Sequence, residues 1–276
     1  MSTASAGGGR VVVVTGGTRG IGLGLAGELL QRGCRVVVCG RSSAAVDTAV
    51  AALAEHGADR VTGLPADVTD RESLQKLWDH ATQTFGRVDV WINNAGISAP
   101  RRSMTEVSAD VADDVVRTNL VGAMNGCAVA LAGLREQAGG GWVWNMEGFG
   151  SNGQIQPGMA IYGASKRGVT YLTEALVKEA KGSDVRVGFL SPGIVATDLL
   201  LADYDGQPEA FEKARKIFNI LGDRVETVTP WLADRLLAAT KNGTRVAWLT
   251  GPKAMRRFMA ASFRSRDIFS DAEAKV

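Results

Sequence analysis

A chain of 276 residues with 45% hydrophobic and 22% charged residues has the make-up of a soluble protein with a sizeable core. Its length fits one parallel α/β domain. The formal net charge of +2 gives no reason to expect nucleic-acid binding, and no window approaches the apolar length of a membrane span.

Residues 1–9 are small and polar, with neither a signal-peptide core nor an arginine-rich transit pattern. They read as a disordered tail before a single domain over 10–276. Cys34, Cys39 and Cys127 are too dispersed for a disulfide framework and read as small core residues. His56 and His80 lie too far apart to suggest a metal cluster.

Val11–Val14 is a β-branched run that fits a strand buried on both faces. A helix is expected over 21–32, stopped by Gly33, then a strand over 35–39 and a helix over 43–56. A strand follows over 61–65, a helix over 70–85 with Asp70 and Glu72 in its first turn, and a strand over 88–92. Then come a helix over 110–134, a strand over 141–145, a helix over 161–181 and a strand over 185–190. Residues 246–249 suit a last strand. This alternation predicts a Rossmann-type, doubly wound parallel sheet of about seven strands with helices on both faces.

The first strand runs into Gly16, Gly17, Thr18, Arg19, Gly20, Ile21 and Gly22. Glycines there permit a tight turn and close approach to a pyrophosphate, and the helix behind offers free N–H groups to its oxygens. At the end of the second strand, where an NAD site usually carries an acid, stand Arg41, Ser42 and Ser43. Arg41 and Arg19 suit a 2′-phosphate, which points to NADP(H).

Asn93-Asn94-Ala95-Gly96 follows the fourth strand, Tyr162 stands four residues before Lys166, and Pro192-Gly193 follows the sixth strand. With the glycine loop, these motifs resemble the short-chain dehydrogenase/reductase family over about residues 10–200. Independently of that likeness, Tyr162 and Lys166 share a helix face. An ammonium near the phenol, together with an oxidised nicotinamide, favours phenolate, and Tyr162 becomes the proton donor or acceptor. The resemblance implies further roles. Lys166 binds the nicotinamide ribose, and Asn119 holds a water in a proton relay. Asp67 and Val68 contact the adenine, while Asn94, Ala95 and Gly96 line the cofactor. Pro192, Gly193, Ile194 and Thr197 flank its nicotinamide half. Asn93 either braces the sheet or touches the ligand.

One departure stands out. The family's strand ends Asn-x-Ser-Ser, with the catalytic serine thirteen residues before the tyrosine; Phe149 occupies that position here. Either Ser151 takes over as hydrogen-bond donor to the substrate carbonyl, or the fold serves binding alone. The loop Asn145-Met146-Glu147-Gly148-Phe149-Gly150-Ser151, with Arg41-Ser42-Ser43 and residues 248–253, resembles the chlorophyll b reductase branch of the family.

Phe211, Ala214, Phe218 and Leu221 recur at helical spacing in the expected substrate lid, about residues 198–225. In the segment 252–270, Met255, Phe258, Met259 and Phe263 share a face beside Lys253, Arg256, Arg257, Arg264 and Arg266. That segment reads either as a core-packing or subunit-contact helix with a solvated basic side, or as a surface for an anionic membrane or a lipophilic ligand. The reading as a whole is an NADPH-dependent reductase of an aldehyde or ketone on a bulky apolar molecule, with the formyl group of chlorophyll b as leading substrate. Its rivals are a general keto-lipid, hydroxysteroid or 3-oxoacyl reductase, and a non-catalytic NADP(H)-binding sensor. Family resemblance implies a homodimer or homotetramer. The compartment reads as cytoplasmic, or as the plastid if a transit peptide has been removed.

Overall fold

The computed structural model describes residues 9–263 and 266–269. In chain order it runs β1 (Val11–Val14), α1 (Gly20–Gln31), β2 (Arg35–Gly40), α2 (Ser43–Leu53), β3 (Val61–Pro65), α3 (Arg71–Phe85) and β4 (Val90–Asn93). There follow α4 (Ala109–Val116), α5 (Gly122–Glu136), β5 (Gly141–Met146), α6 (Ala160–Glu179), β6 (Val185–Ser191) and β7 (Val195–Ala196). The last part holds α7 (Asp198–Ala202), α8 (Pro208–Leu221), β8 (Asp223–Arg224), α9 (Val225–Ala238), β9 (Arg245–Ala247) and α10 (Gly251–Ala260).

The seven-stranded sheet has the order β3-β2-β1-β4-β5-β6-β9, with every pairing parallel. It is the expected doubly wound sheet, and β1 shows why the sequence makes it. Val12 and Val14 point into a core with Leu25 and Leu29 of α1 and Leu232 of α9. Val13 points into a second core with Leu74 and Trp78 of α3 and Leu131 of α5. A strand apolar at every position therefore needs helices on both sides. The chain reverses direction across the sheet between β1 and β4, so the carboxyl ends of these strands open a crevice. Cys34, Cys39 and Cys127 are buried, as their expected core role requires.

Several boundaries differ from the expectation. The helix expected over 110–134 is a continuous run over 109–136 with a π-turn at Arg117–Val121. By length and composition that run is apolar enough to cross a membrane, which corrects the sequence-based statement. It is, however, mostly buried, with Ala130, Leu131 and Leu134 against the sheet. The last strand ends at Ala247, because Thr250 turns to cap α10 through its side chain.

The lid region forms its own small core: Tyr204 and Phe218 pack with Ile268 and Phe269, joined by Phe211 and Ala214. On α10, Met255 and Met259 are more than half exposed, and Phe263 beyond it is 89% exposed. Packing into this chain's core is thus excluded for that row. The basic side is also less free than its composition suggests. Arg257 and Arg266 both clasp the buried Asp223 carboxylate, at 2.7 and 2.6 Å. Lys253 lies over the Trp248 ring. Arg264 and the tail over 1–8 lie outside the described residues.

Candidate active site

The ends of β1, β4, β5 and β6 open into one cleft of about 1320 Å³. Its floor is built by the turn after β1. Gly16 and Gly20 have φ of +62° and +54°, values that L side chains rarely adopt. A Cβ on Gly16 would lie 2.8 Å from the Ala95 Cα, so the loop and the segment after β4 touch backbone to backbone. Thr15 locks that contact. Its buried Oγ1 donates to the Ile92 carbonyl and accepts from the N–H groups of Asn94 and Ala95. The Asn94 amide donates to the carbonyls of Thr15 and Gly16. Behind the loop, α1 starts with no side-chain cap and no acid in its first turn. Its free N–H groups are therefore available to an anion.

Thr18, Arg19, Ile21, Gly22, Arg41, Asp67 and Val68 line the same cleft, with Gly96, Pro192, Gly193, Ile194 and Thr197. Arg19 and Arg41 are exposed at its rim and make no ion pair among the described residues. Positive-φ glycines and an uncapped helix start fit the pyrophosphate of a dinucleotide, with two guanidinium groups at the rim. Asp67 uses its Oδ1 to hold the Thr69 backbone and hydroxyl at the cleft wall.

Ser42 and Asn119 are the two predicted site residues that do not line this cleft. The Ser42 hydroxyl caps α2 by accepting from Ala45 N. Asn119, within the π-turn, accepts from Ile97 N and donates to Ile97 O and the Ser165 hydroxyl. It thereby ties the segment after β4 to α6, one residue from Lys166. Asn93 braces the sheet: it accepts from the Trp91 indole and donates to Asn145.

Tyr162 and Lys166 stand one turn apart on α6, with the lysine Nζ 5.9 Å from the tyrosine ring centre. Lys166 is 5% exposed and donates to the Met146 carbonyl at 3.2 Å. Burial lowers its ammonium to about 8, against the pull of the Glu147 carboxylate. Enclosure of the Tyr162 hydroxyl pushes that phenol well up, and the Asp203 charge adds to the rise. Glu147 is itself raised by burial, opposed by Arg245 at 3.2 Å and by the Thr170 hydroxyl.

Ser151 lines the cleft, but its hydroxyl is turned into the protein. It accepts from Gly148 N at 3.1 Å and donates to the Lys166 carbonyl at 3.3 Å. The residue beside the tyrosine hydroxyl is instead Gly148, where a Cβ would overlap the Tyr162 oxygen and lie 3.1 Å from Cζ. Counting three residues on from Asn145 at the end of β5 finds this position, whereas counting back from the tyrosine misses it.

Sequence reasoning also missed Ser98, Arg101, Asp203 and Gln207, which line the cleft on the lid side. Burial raises the Asp203 carboxyl to about 6. No local pattern joins residues from the loop after β4 to residues after α7, so no sequence signal pointed to them.

The short chain dehydrogenase family model matches residues 10–207. Among curated relatives, the chlorophyll(ide) b reductase NOL, chloroplastic, of Arabidopsis thaliana is 37% identical over 90% of this chain and 72% of its own length. The carbonyl reductase family member 4 of Xenopus laevis is 35% identical over 69% of this chain and 77% of its own. Among solved structures, levodione reductase superposes with a TM-score of 0.78 at 29% identity, over 90% of this chain and 98% of that one.

Proposed function

The chain belongs to the short-chain dehydrogenase family, and from that premise we propose that it is an NADPH-dependent carbonyl reductase. Its substrate is an aldehyde or ketone on a bulky apolar molecule, with the formyl group of chlorophyll b, reduced to hydroxymethyl, as the leading case. The observation that carries the reading is the convergence of the half-buried Tyr162 and the buried Lys166 in the cleft beside Gly148.

A reduced nicotinamide cofactor held in this cleft would supply the hydride for the carbonyl carbon, and the residues of the chain would handle the proton and the charge. Tyr162 Oη gives its proton to the carbonyl oxygen, and the Lys166 ammonium stabilises the phenolate left behind. Arg41 and Arg19 would hold the 2′-phosphate, as guanidinium groups at the rim suit bidentate contacts. Ser151 acts by fixing the turn that brings Gly148 to the tyrosine.

A panel of formyl tetrapyrroles, keto-lipids, hydroxysteroid ketones and 3-oxoacyl thioesters, scored by NADPH oxidation, tests this. Turnover of the formyl tetrapyrrole that disappears in Tyr162→Phe supports the reading. Preferred turnover of keto-lipids moves the chain to a general reductase, in line with its likeness to carbonyl reductase family member 4. NADPH binding without turnover of any member makes it a sensor.

A further inference from the structure

Among the described residues, five buried side-chain polar atoms meet no hydrogen-bond partner. One, the Trp144 indole nitrogen, lies within the sheet core. The other four are Ser98 Oγ, Arg101 Nε, Asp203 Oδ1 and Gln207 Nε2, and all four residues line the cleft that holds Tyr162. Orphaned polar atoms are costly when scattered and informative when gathered in one place.

These four are positioned by the backbone. Arg101 N donates to the Asp203 carbonyl at 3.0 Å, which fastens the loop after β4 to the end of α7. The Arg101 guanidinium lies over the Tyr204 ring, 4.8 Å from its centre, so its direction is set by stacking. Its Nε stops 3.9 Å from Asp203 Oδ2, beyond hydrogen-bond reach. The Ser98 hydroxyl is near enough to pull the Asp203 carboxyl down, without closing a hydrogen bond in good geometry. All four residues stand in the wall of the cleft with this hydrogen-bonding capacity unmet.

The inventory of those atoms identifies what fits. Arg101 Nε and Gln207 Nε2 are donors only, Ser98 donates or accepts, and Asp203 Oδ1 alone is an obligate acceptor when ionised. An ammonium or an amide N–H would face too few acceptors and a guanidinium. A group rich in acceptors and carrying negative charge meets both donors. A smaller recess adjoining the cleft is lined by Arg101, Gln207, Arg102 and Glu106. Glu106 is already engaged there with Ser103 N, which leaves Arg102 to add positive charge.

We propose that Ser98, Arg101, Asp203 and Gln207 form a subsite for a carboxylate carried by the substrate at a distance from its reacting carbonyl. This rests on the carbonyl-reductase reading and, within it, favours aldehydes or ketones with a free acid, so a formyl tetrapyrrole would be preferred in its de-esterified form over its long-chain ester. Arg101 and Gln207 donate to the carboxylate, and the single Ser98 hydroxyl hydrogen can add a third donor to it.

The test uses the full chain with NADPH and two matched pairs: 4-formylbenzoate with its methyl ester, and 4′-formylbiphenyl-4-carboxylate with its methyl ester. The acid is expected to have a kcat/KM at least about ten-fold above its ester in one pair, as a charge-assisted contact requires. Arg101→Met should bring that ratio close to one. Asp203→Asn should keep or increase it, because a competing negative charge is removed. Such opposite responses do not follow from a merely structural role. Should Arg101→Met fail to fold by thermal melting, Gln207→Leu decides, with a reduced ratio expected. Equal or better use of both esters by the parent protein, or a ratio unchanged in Arg101→Met, overturns the subsite and leaves a site for bridging water only. If the parent reduces none of the four, the reductase reading is decided by the panel of formyl tetrapyrroles and keto substrates instead. Calorimetric titration of biphenyl-4-carboxylate against its methyl ester then decides the subsite separately: tighter binding of the acid, lost in Arg101→Met, supports it, and equal binding overturns it.

Discussion

Gly148→Ala places a single methyl group where the proposed chemistry needs space. An ideal Cβ there overlaps the Tyr162 hydroxyl and falls 3.1 Å from both Cζ and Lys166 Cγ. Carbon contacts are comfortable at about 3.5–4.0 Å, so the tip of the tyrosine must retreat by roughly 0.5–1 Å. Gly148 is not a positive-φ glycine, so the backbone itself accepts alanine. The cost therefore falls on the position of the hydroxyl. A displacement of about 1 Å at a reacting group is worth roughly 10²-fold in rate, whereas local overpacking costs about 1–3 kcal/mol of stability. Steady-state kcat measured beside thermal melting and NADPH affinity separates the two effects. The expected result is a fall in kcat of roughly two orders of magnitude with the cofactor still bound. A variant that melts like the parent and keeps its kcat within a factor of about two refutes the argument that Gly148 clears space for the tyrosine.

Arg41→Ala should weaken NADPH binding by about ten-fold or more while leaving NADH affinity nearly unchanged, because a charge-assisted contact to the 2′-phosphate is lost; equal losses for both dinucleotides argue against that contact. Lys166, lowered to about 8 from an ordinary 10.5, binds fewer protons folded than unfolded between those values. Its buried charge therefore costs stability below about pH 8, a cost relieved as pH rises toward 10.5. Lys166→Met should stabilise the cofactor-free protein at pH 7 by on the order of 2 kcal/mol, with the gain shrinking toward pH 10 in chemical denaturation curves. Ser151→Ala removes the hydroxyl shared by Gly148 N and Lys166 O, which should cost roughly 1 kcal/mol of stability and less than about ten-fold in kcat. A loss of roughly 10²–10³-fold would instead mark a donor aimed at the substrate oxygen.

The legible parts of this molecule are those whose cause is local. Four consecutive valines can only sit in a strand covered on both faces, and a Tyr and a Lys four apart on a helix must share a side. The glycine loop is likewise a run of adjacent residues. What the sequence hid was long-range or directional. Ser151 is at a plausible distance along the chain, but its hydroxyl points inward because Gly148 N and the Lys166 carbonyl both lie on that side. The basic segment looked uniformly solvated until Asp223, more than thirty residues earlier, drew in Arg257 and Arg266. Arg101 and Asp203 meet only because α7 folds back over the cleft, and nothing in the spacing of 101 and 203 encodes that contact.

The same distinction applies to the electrostatics of Tyr162. Proximity along a helix suggests that the Lys166 ammonium alone draws the phenol toward neutrality. In the fold, that ammonium is spent on the Met146 carbonyl and sits 5.9 Å from the ring centre, while burial and Asp203 push the phenol in the opposite direction. Both charged forms are therefore disfavoured in the cofactor-free protein, and a further positive charge is needed to favour phenolate. Difference absorption between the parent and Tyr162→Phe measures this directly. Without cofactor the Tyr162 component should show no phenolate up to pH 10, the ordinary value for the group. Saturation with oxidised dinucleotide should bring phenolate into the measured range, and Asp203→Asn should move it further the same way by removing a negative neighbour. Phenolate below pH 10 in the cofactor-free parent would show that Lys166 suffices by itself, and the burial argument would fall.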